Sequence, residues 1–191
     1  FGSKPAFAFS AVNFSRAGGK NEYSVQIQEH NLLGRGQRLE LEWESDPARE
    51  SLTLSFADPH FLQSFTRLAV AYSDATDGST KYFSLERPFY ALDTRWSAGS
   101  LLSDSDFDVD RWELGKRVGK FNTHAQYYQV NGGWSAGLQD GWVRRWTYGA
   151  TYQESDFAAV PGAPLGGPLP ADRKFVYPWV GFELVQDSFQ E

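Results

Sequence analysis

Cysteine is absent from this chain of 191 residues, and histidine occurs three times. Without thiols there is no disulfide framework, no thiolate metal site and no cysteine nucleophile. His30, His60 and His124 lie in unrelated contexts without metal-ligand spacing, so they read as polar-face or turn residues. No apolar run approaches the roughly 20 residues a membrane helix needs, which excludes a helical membrane protein. It leaves a membrane β-barrel open, because a spanning strand needs only about 9 to 11 residues and alternates lipid-facing with lumen-facing side chains. The net charge of -6 comes with both signs scattered along the chain, so there is no basic stripe for nucleic acid. Neither an initiator Met nor a secretory leader stands at Phe1, which points to a mature or excised piece of a longer protein.

What is abundant is aromatic. Phe, Trp and Tyr make up 16% of the chain while the mean hydropathy is -0.49, a combination that favours strands over buried helices. Apolar and polar residues alternate with a period of two through Tyr23–Gln28, Arg38–Glu44, Ser51–Phe56, Leu68–Tyr72, Tyr82–Leu85, Arg145–Tyr152 and Phe175–Val185. Trp112 to Val118, Ala125 to Tyr127 and Trp134 to Leu138 continue the pattern. Asp46-Pro47, Asp58-Pro59, Asp77-Gly78, Asn131-Gly132 and Asp140-Gly141 read as turns between these segments, and Arg87-Pro88 as a strand end. Gly34-Arg35-Gly36 reads as a sharp bend in a strand. Residues 161–170, rich in Pro and Gly, read as a long exposed loop that cannot join a ladder. The expectation is an all-β antiparallel meander of about ten strands, with no helix, in a single segment over residues 1–191.

Two architectures share that pattern. In a soluble sandwich the apolar faces meet each other, whereas in a membrane barrel they meet lipid. Arg38, Glu40, Glu42 and Glu44 recur on one side, and Trp43, Tyr72, Trp142 and Tyr152 cluster near segment ends, as in the interfacial girdle of a barrel. The balance favours a transmembrane β-barrel, with a soluble β-sandwich or barrel that binds a ligand such as carbohydrate as the alternative.

Catalytic and metal motifs are weak. Gly133-Trp134-Ser135-Ala136-Gly137 matches G-x-S-x-G, yet the residues that follow run into another strand rather than the required helix. Asp104, Asp106, Asp108 and Asp110 could gather oxygen ligands, but Val109 stands where a calcium loop requires Gly, and a solvated acidic loop is the expectation. Gly115 to Lys120 is no phosphate loop; Lys116, Arg117 and Lys120 are expected to face water or lipid headgroups. No catalytic residue, cofactor or metal is expected.

The run Glu29-His30-Asn31-Leu32-Leu33-Gly34-Arg35-Gly36-Gln37-Arg38-Leu39, then Ser55-Phe56-Ala57-Asp58-Pro59-His60-Phe61 and Glu86-Arg87-Pro88-Phe89, resembles the first barrel strands of the Omp85 superfamily. That superfamily includes BamA-like assembly factors and TamA-like translocation factors. The likeness covers about the first hundred residues and rests on Asn31, Gly34, Arg35, Gly36, Asp58, Pro59, Arg87 and Pro88 in order. It implies a sixteen-stranded barrel in the bacterial outer membrane, usually preceded by POTRA domains, that contacts lipid and inserts or translocates client membrane or secreted proteins without covalent chemistry. The first barrel strand would lie near Ala6 to Ser15. The Arg-Gly-Phe element of the family's inward-folded loop is not found in this chain. About ten strands would leave an open sheet edge, which is not viable in lipid, so the chain is expected to be the N-terminal part of a barrel with no POTRA domain in it.

Overall fold

The period-two segments become strands, and the punctuation between most of them becomes tight turns. The computed structural model describes residues 8–17, 20–32, 34–46 and 49–187. The expected strand start at Ala6, Leu33 of the glycine-rich run and Pro47 of the Asp46-Pro47 turn lie outside the described residues. Ten strands run in chain order: β1 (Ala8–Ala17), β2 (Lys20–Leu32), β3 (Gln37–Ser45), β4 (Glu50–Phe61), β5 (Thr66–Ala75), β6 (Gly78–Arg87), β7 (Trp96–Glu113), β8 (Lys116–Gln139), β9 (Trp142–Ala159) and β10 (Arg173–Gln186). Each pairs antiparallel with its neighbours in sequence, giving one meander from β1 to β10 whose two outer strands are not paired to each other. The described residues contain no helix.

The sheet is a single layer, which decides against the sandwich. Among the described residues Val143 is the only apolar side chain classed as buried, whereas Leu54, Val130, Trp134, Tyr148, Val176 and Val180 are among many that stay exposed. A soluble domain of this length would bury most of its large apolar side chains in a core. Here they form one continuous apolar face with no second layer across it.

Four local expectations need correction. Gly34-Arg35-Gly36 does not bend a strand; it forms the turn between β2 and β3. Gly34 and Gly36 both sit at φ +71°, and Asn31 Oδ1 accepts the Gly36 N–H at 2.8 Å. Asp58-Pro59 lies inside β4, at a register shift against β5, with the chain turning four residues later at Leu62 and Gln63. Asn131-Gly132 lies in the middle of the 24-residue β8, because strand partners on both sides absorb it. The Asp104 to Asp110 run is not a loop but the far half of β7. The alternation of Asp with Ser, Phe and Val is itself period two, so the same signal that marked the other strands was present there.

Candidate functional site

Register carries the apolar face across the whole sheet in aligned rungs. One rung runs Trp96, Trp134, Trp146, Phe182 on β7, β8, β9 and β10. Six residues along, another runs Phe83, Leu102, Tyr128, Tyr152, Val176 on β6 to β10. Rings within each rung touch: Trp146 and Phe182 have centroids 4.7 Å apart, and Tyr128 and Tyr152 stack at 5.6 Å. Such pairs contribute about 0.5 to 1.5 kcal/mol each beyond area. Between the two aromatic rungs lie Ser100, Val130, Ala150 and Pro178, then Ala98, Gly132, Tyr148 and Val180. On the other strands the same face carries Val25 and Ile27, Leu39, Leu41 and Trp43, Leu52, Leu54 and Phe56, and Leu68, Val70 and Tyr72. Trp43, Tyr72, Trp142 and Tyr152, picked from sequence as girdle residues, all have this face's parity.

Past the Tyr128–Tyr152 rung the same face turns polar in a single step. The next rung is Lys81, Asp104, Gln126, Glu154, Lys174, followed by Ser79, Asp106, His124, Asp156. The four aspartates of β7 are matched one by one from β8. Gln126 Nε2 donates to Asp104 Oδ2 at 3.1 Å and His124 Nε2 lies 3.3 Å from the same oxygen. Asn122 donates to Asp106, Lys120 pairs with Asp108 at 3.1 Å and Arg117 with Asp110 at 3.0 Å. The Gln126 hydrogen bond leads in holding the Asp104 carboxyl below the usual range, opposed by partial burial. Among the described residues no three of His, Asp and Glu form a metal-holding group. Of the cations expected to face water or headgroups, Lys120 is half-buried against Asp108, whereas Arg117 pairs with Asp110 while remaining exposed to solvent.

The opposite face is polar, with Arg38, Glu40, Glu42 and Glu44 on β3 beside Gln26 and Gln28 of β2 and Ser51, Thr53 and Ser55 of β4. Two connections fold over it. The turn between β6 and β7, residues 88–95, lies on β8 and β9: a Cβ on Gly133 would meet the Phe89 ring at 2.8 Å, the Arg145 guanidinium sits 5.0 Å from the same ring and its Nη2 donates to Ala91 O at 3.2 Å. Arg95 donates to Ala136 O, and Arg95 O accepts the Ser135 N–H at 2.9 Å. Residues 160–172 lie over β7 and β8 near their far ends, where Arg111 donates to Leu165 O and Pro168 O and Lys120 N–H donates to Pro164 O. The Pro/Gly-rich segment joins no ladder and is largely exposed, as expected, but it is tied down.

That packing explains the G-x-S-x-G match. Ser135 is fully buried inside β8, with its Oγ accepting the Gly137 N–H at 3.0 Å, and no helix follows. His30 on β2, His60 on β4 and His124 on β8 leave it without a base on a neighbouring strand. The motif is a platform whose glycines admit the β6–β7 turn. Sequence reasoning missed this role; two glycines flanking a small residue at period two was the available signal.

The eight family-motif residues gather at the end of the sheet that carries the β2–β3, β4–β5 and β6–β7 turns. Asp58, 6% exposed, accepts Gln37 Nε2 at 2.8 Å and the His60 N–H at 2.9 Å, tying the β2–β3 turn to β4. Gly34, Arg35, Gln37, Asp58, Phe61 and Phe65 line a cleft of about 860 Å³ between the turns. Phe65 stacks on Tyr90 at 3.8 Å, and Arg87 lies 5.0 Å from the Tyr90 ring and 3.7 Å from the Trp96 ring while donating to Trp96 O. Asn31 and Gly36 hold the first turn, Pro59 follows Asp58 in β4, and Pro88 follows the last residue of β6.

No family model matches the sequence, and no curated protein matches it significantly. Among solved structures, the sheet is similar to BamA from Haemophilus ducreyi lacking POTRA domains 1-3, with a TM-score of 0.33 and 17% identity, covering 83% of this chain. The chain spans 42% of the length of that structure. A likeness at this level identifies neither a family nor an activity.

Proposed function

We propose that this chain forms part of the wall of a transmembrane β-barrel of the bacterial outer membrane, with its apolar face against lipid and its polar face lining the interior. The observation that carries this reading is the pair of aromatic rungs on one face, bounded by the abrupt change to Asp104, Gln126, Glu154 and Lys174. On β10 the apolar run from Val176 to Leu184 covers about 27 Å along the strand, or about 20 Å of depth at a barrel tilt near 40°. That is short of the ~25 Å apolar band usual for such barrels and would thin the bilayer locally. Connections that fold over the polar face are what an interior accommodates. The long β9–β10 connection and the polar extension of β7 to β9 lie together at one end, which suits the extracellular side.

Within that reading, the role is that of an Omp85-type component: physical assistance to insertion or translocation of client membrane or secreted proteins, with no covalent step. The motif order from Asn31 to Pro88 supports it. The first test is fractionation of the natural full-length protein: it should partition with outer membranes and migrate faster on a denaturing gel unheated than boiled. A monodisperse protein in detergent-free buffer refutes the barrel. If the barrel stands, depletion should lower the assembled amount of other barrel proteins; unchanged assembly and secretion refutes the client role.

A further inference from the structure

At the end of the sheet opposite the β9–β10 connection, the apolar face of β3 and β4 gives way to a cleft. Gln37 and Asp58 share the parity of Leu39 and Phe56 and stand one step beyond that apolar rung, so the cleft of about 860 Å³ that they line lies on the same face. Its one carboxylate is Asp58, 6% exposed, with one oxygen taken by Gln37 Nε2 and the other by the His60 N–H. Arg35 and His60 line the cleft as exposed residues, and neither side chain has a hydrogen-bond or ion-pair partner among the described residues. Phe65, which also lines it, is held by its stack on Tyr90. The β4–β5 turn beside the cleft is built against local preference. Leu62 and Gln63 sit in the left-handed region, at φ 55° and 56°, where Asn or Gly is the usual choice, and Leu62 is 81% exposed. Water offers an exposed leucine in that conformation no compensation, whereas burial beside acyl chains offsets the backbone strain.

This inference rests on the barrel reading above, which puts this end of the sheet at the periplasmic leaflet, where the apolar band meets lipid headgroups. We propose that the cleft binds the phosphate headgroup of an anionic phospholipid of that leaflet. The Arg35 guanidinium offers its planar fork of donors to the phosphodiester oxygens, and a ring nitrogen of His60 supplies a further donor. Leu62 and Phe65 receive the upper part of the acyl chains, which continue along Leu39, Leu41 and Phe56. The tying back of Asp58 fits the same occupant: a free carboxylate would repel phosphate, and this one is spent on Gln37 and the His60 N–H. With that carboxylate engaged, nothing in the cleft pairs with the cationic amine of a zwitterionic headgroup, so the site discriminates in favour of net-negative lipid.

Native mass spectrometry of the natural full-length protein in detergent micelles, titrated with phosphatidylglycerol or with phosphatidylcholine, tests this. Phosphatidylglycerol should bind about tenfold more tightly, and the double variant Arg35→Ala/His60→Ala should lose that preference. Leu62→Asn suits the backbone at φ 55°, so it should fold at least as well as the unaltered protein yet bind phosphatidylglycerol about threefold more weakly. Equal binding of the two lipids by the unaltered protein overturns the proposal, and this comparison stands whatever the variants do to folding. A preference that survives in a folded Arg35→Ala/His60→Ala protein overturns it as well. Inorganic phosphate in place of lipid should give no bound adduct at the same concentrations; binding as tight as that of phosphatidylglycerol would assign the cleft to a soluble phosphate and overturn the lipid assignment. Failure of the barrel reading would show instead as failure to insert, before any lipid is counted.

Discussion

Trp134 of β8 stands directly opposite Trp146 of β9, and the register extends the pair to Trp96 on one side and Phe182 on the other. Four large rings in one rung of an exposed face have no place in water, and a row of them at the lipid interface is the usual way a barrel wall is anchored. Val130, 60% exposed, lies between this rung and the Tyr128 rung. Val130→Arg should therefore destabilise the inserted protein by about 2 to 4 kcal/mol, while Asp156→Arg, on the same face beyond the band, should cost little. Urea unfolding in liposomes measures both; equal effects contradict the placement of the band.

Gly133→Val puts a side chain where the Phe89 ring and Ser97 Oγ now sit. The β6–β7 turn should lift off the polar face, making residues 88–95 susceptible to protease in the folded protein. Ser135→Ala, which removes only the hydroxyl bond to Gly137, should leave the turn protected. Protection retained in Gly133→Val would contradict the docked turn.

Asp58 ties the start of β3 to β4 through bonds to Gln37 and His60. Asp58→Ala leaves both donors without their acceptor and should cost about 1 to 3 kcal/mol, with Gln37→Ala recovering part of that on the Asp58→Ala background. Strictly additive losses in the double-mutant cycle would show that the two side chains act independently.

Asp104 has a folded-state pKa below its unfolded value, chiefly through Gln126. Its contribution is thus present above about pH 4 and is lost as pH falls through the lower folded value. Gln126→Ala should raise the Asp104 pKa in a carboxyl-resolved titration; an unchanged value would assign the shift to His124 or Lys81 instead.

Much of the fold was legible because period two is a strong signal and one face of the sheet carries a broad apolar band. Leu52, Leu54 and Phe56 declare a shared face by their spacing alone. What misled were residues that punctuate in isolation. Asn131-Gly132 and Asp58-Pro59 signal turns by local propensity, yet cross-strand pairing on both flanks overrides them. The aspartates of β7 looked like a loop because their partners Lys120, Asn122 and Gln126 come from another strand at a register no single sequence displays. The tucked turn under Arg145 was invisible for the same reason: it depends on Gly133 being beside Phe89 in space.

The central claim is that one face meets lipid and the other an aqueous interior. These 191 residues contain no cysteine, so once any cysteine elsewhere in the natural protein is replaced, every introduced thiol reports alone. Single cysteines at Leu102, Val130 and Tyr148, and at their face-opposite neighbours Ser103, Gln129 and Thr147, should separate completely in the membrane-inserted protein. The first three resist a water-soluble maleimide, and a fluorophore attached there by a membrane-permeant thiol reagent is quenched by brominated lipid; the second three react with the maleimide and are not quenched. Uniform labelling of both sets by the water-soluble reagent, with no lipid quenching at either, would contradict the barrel wall described here.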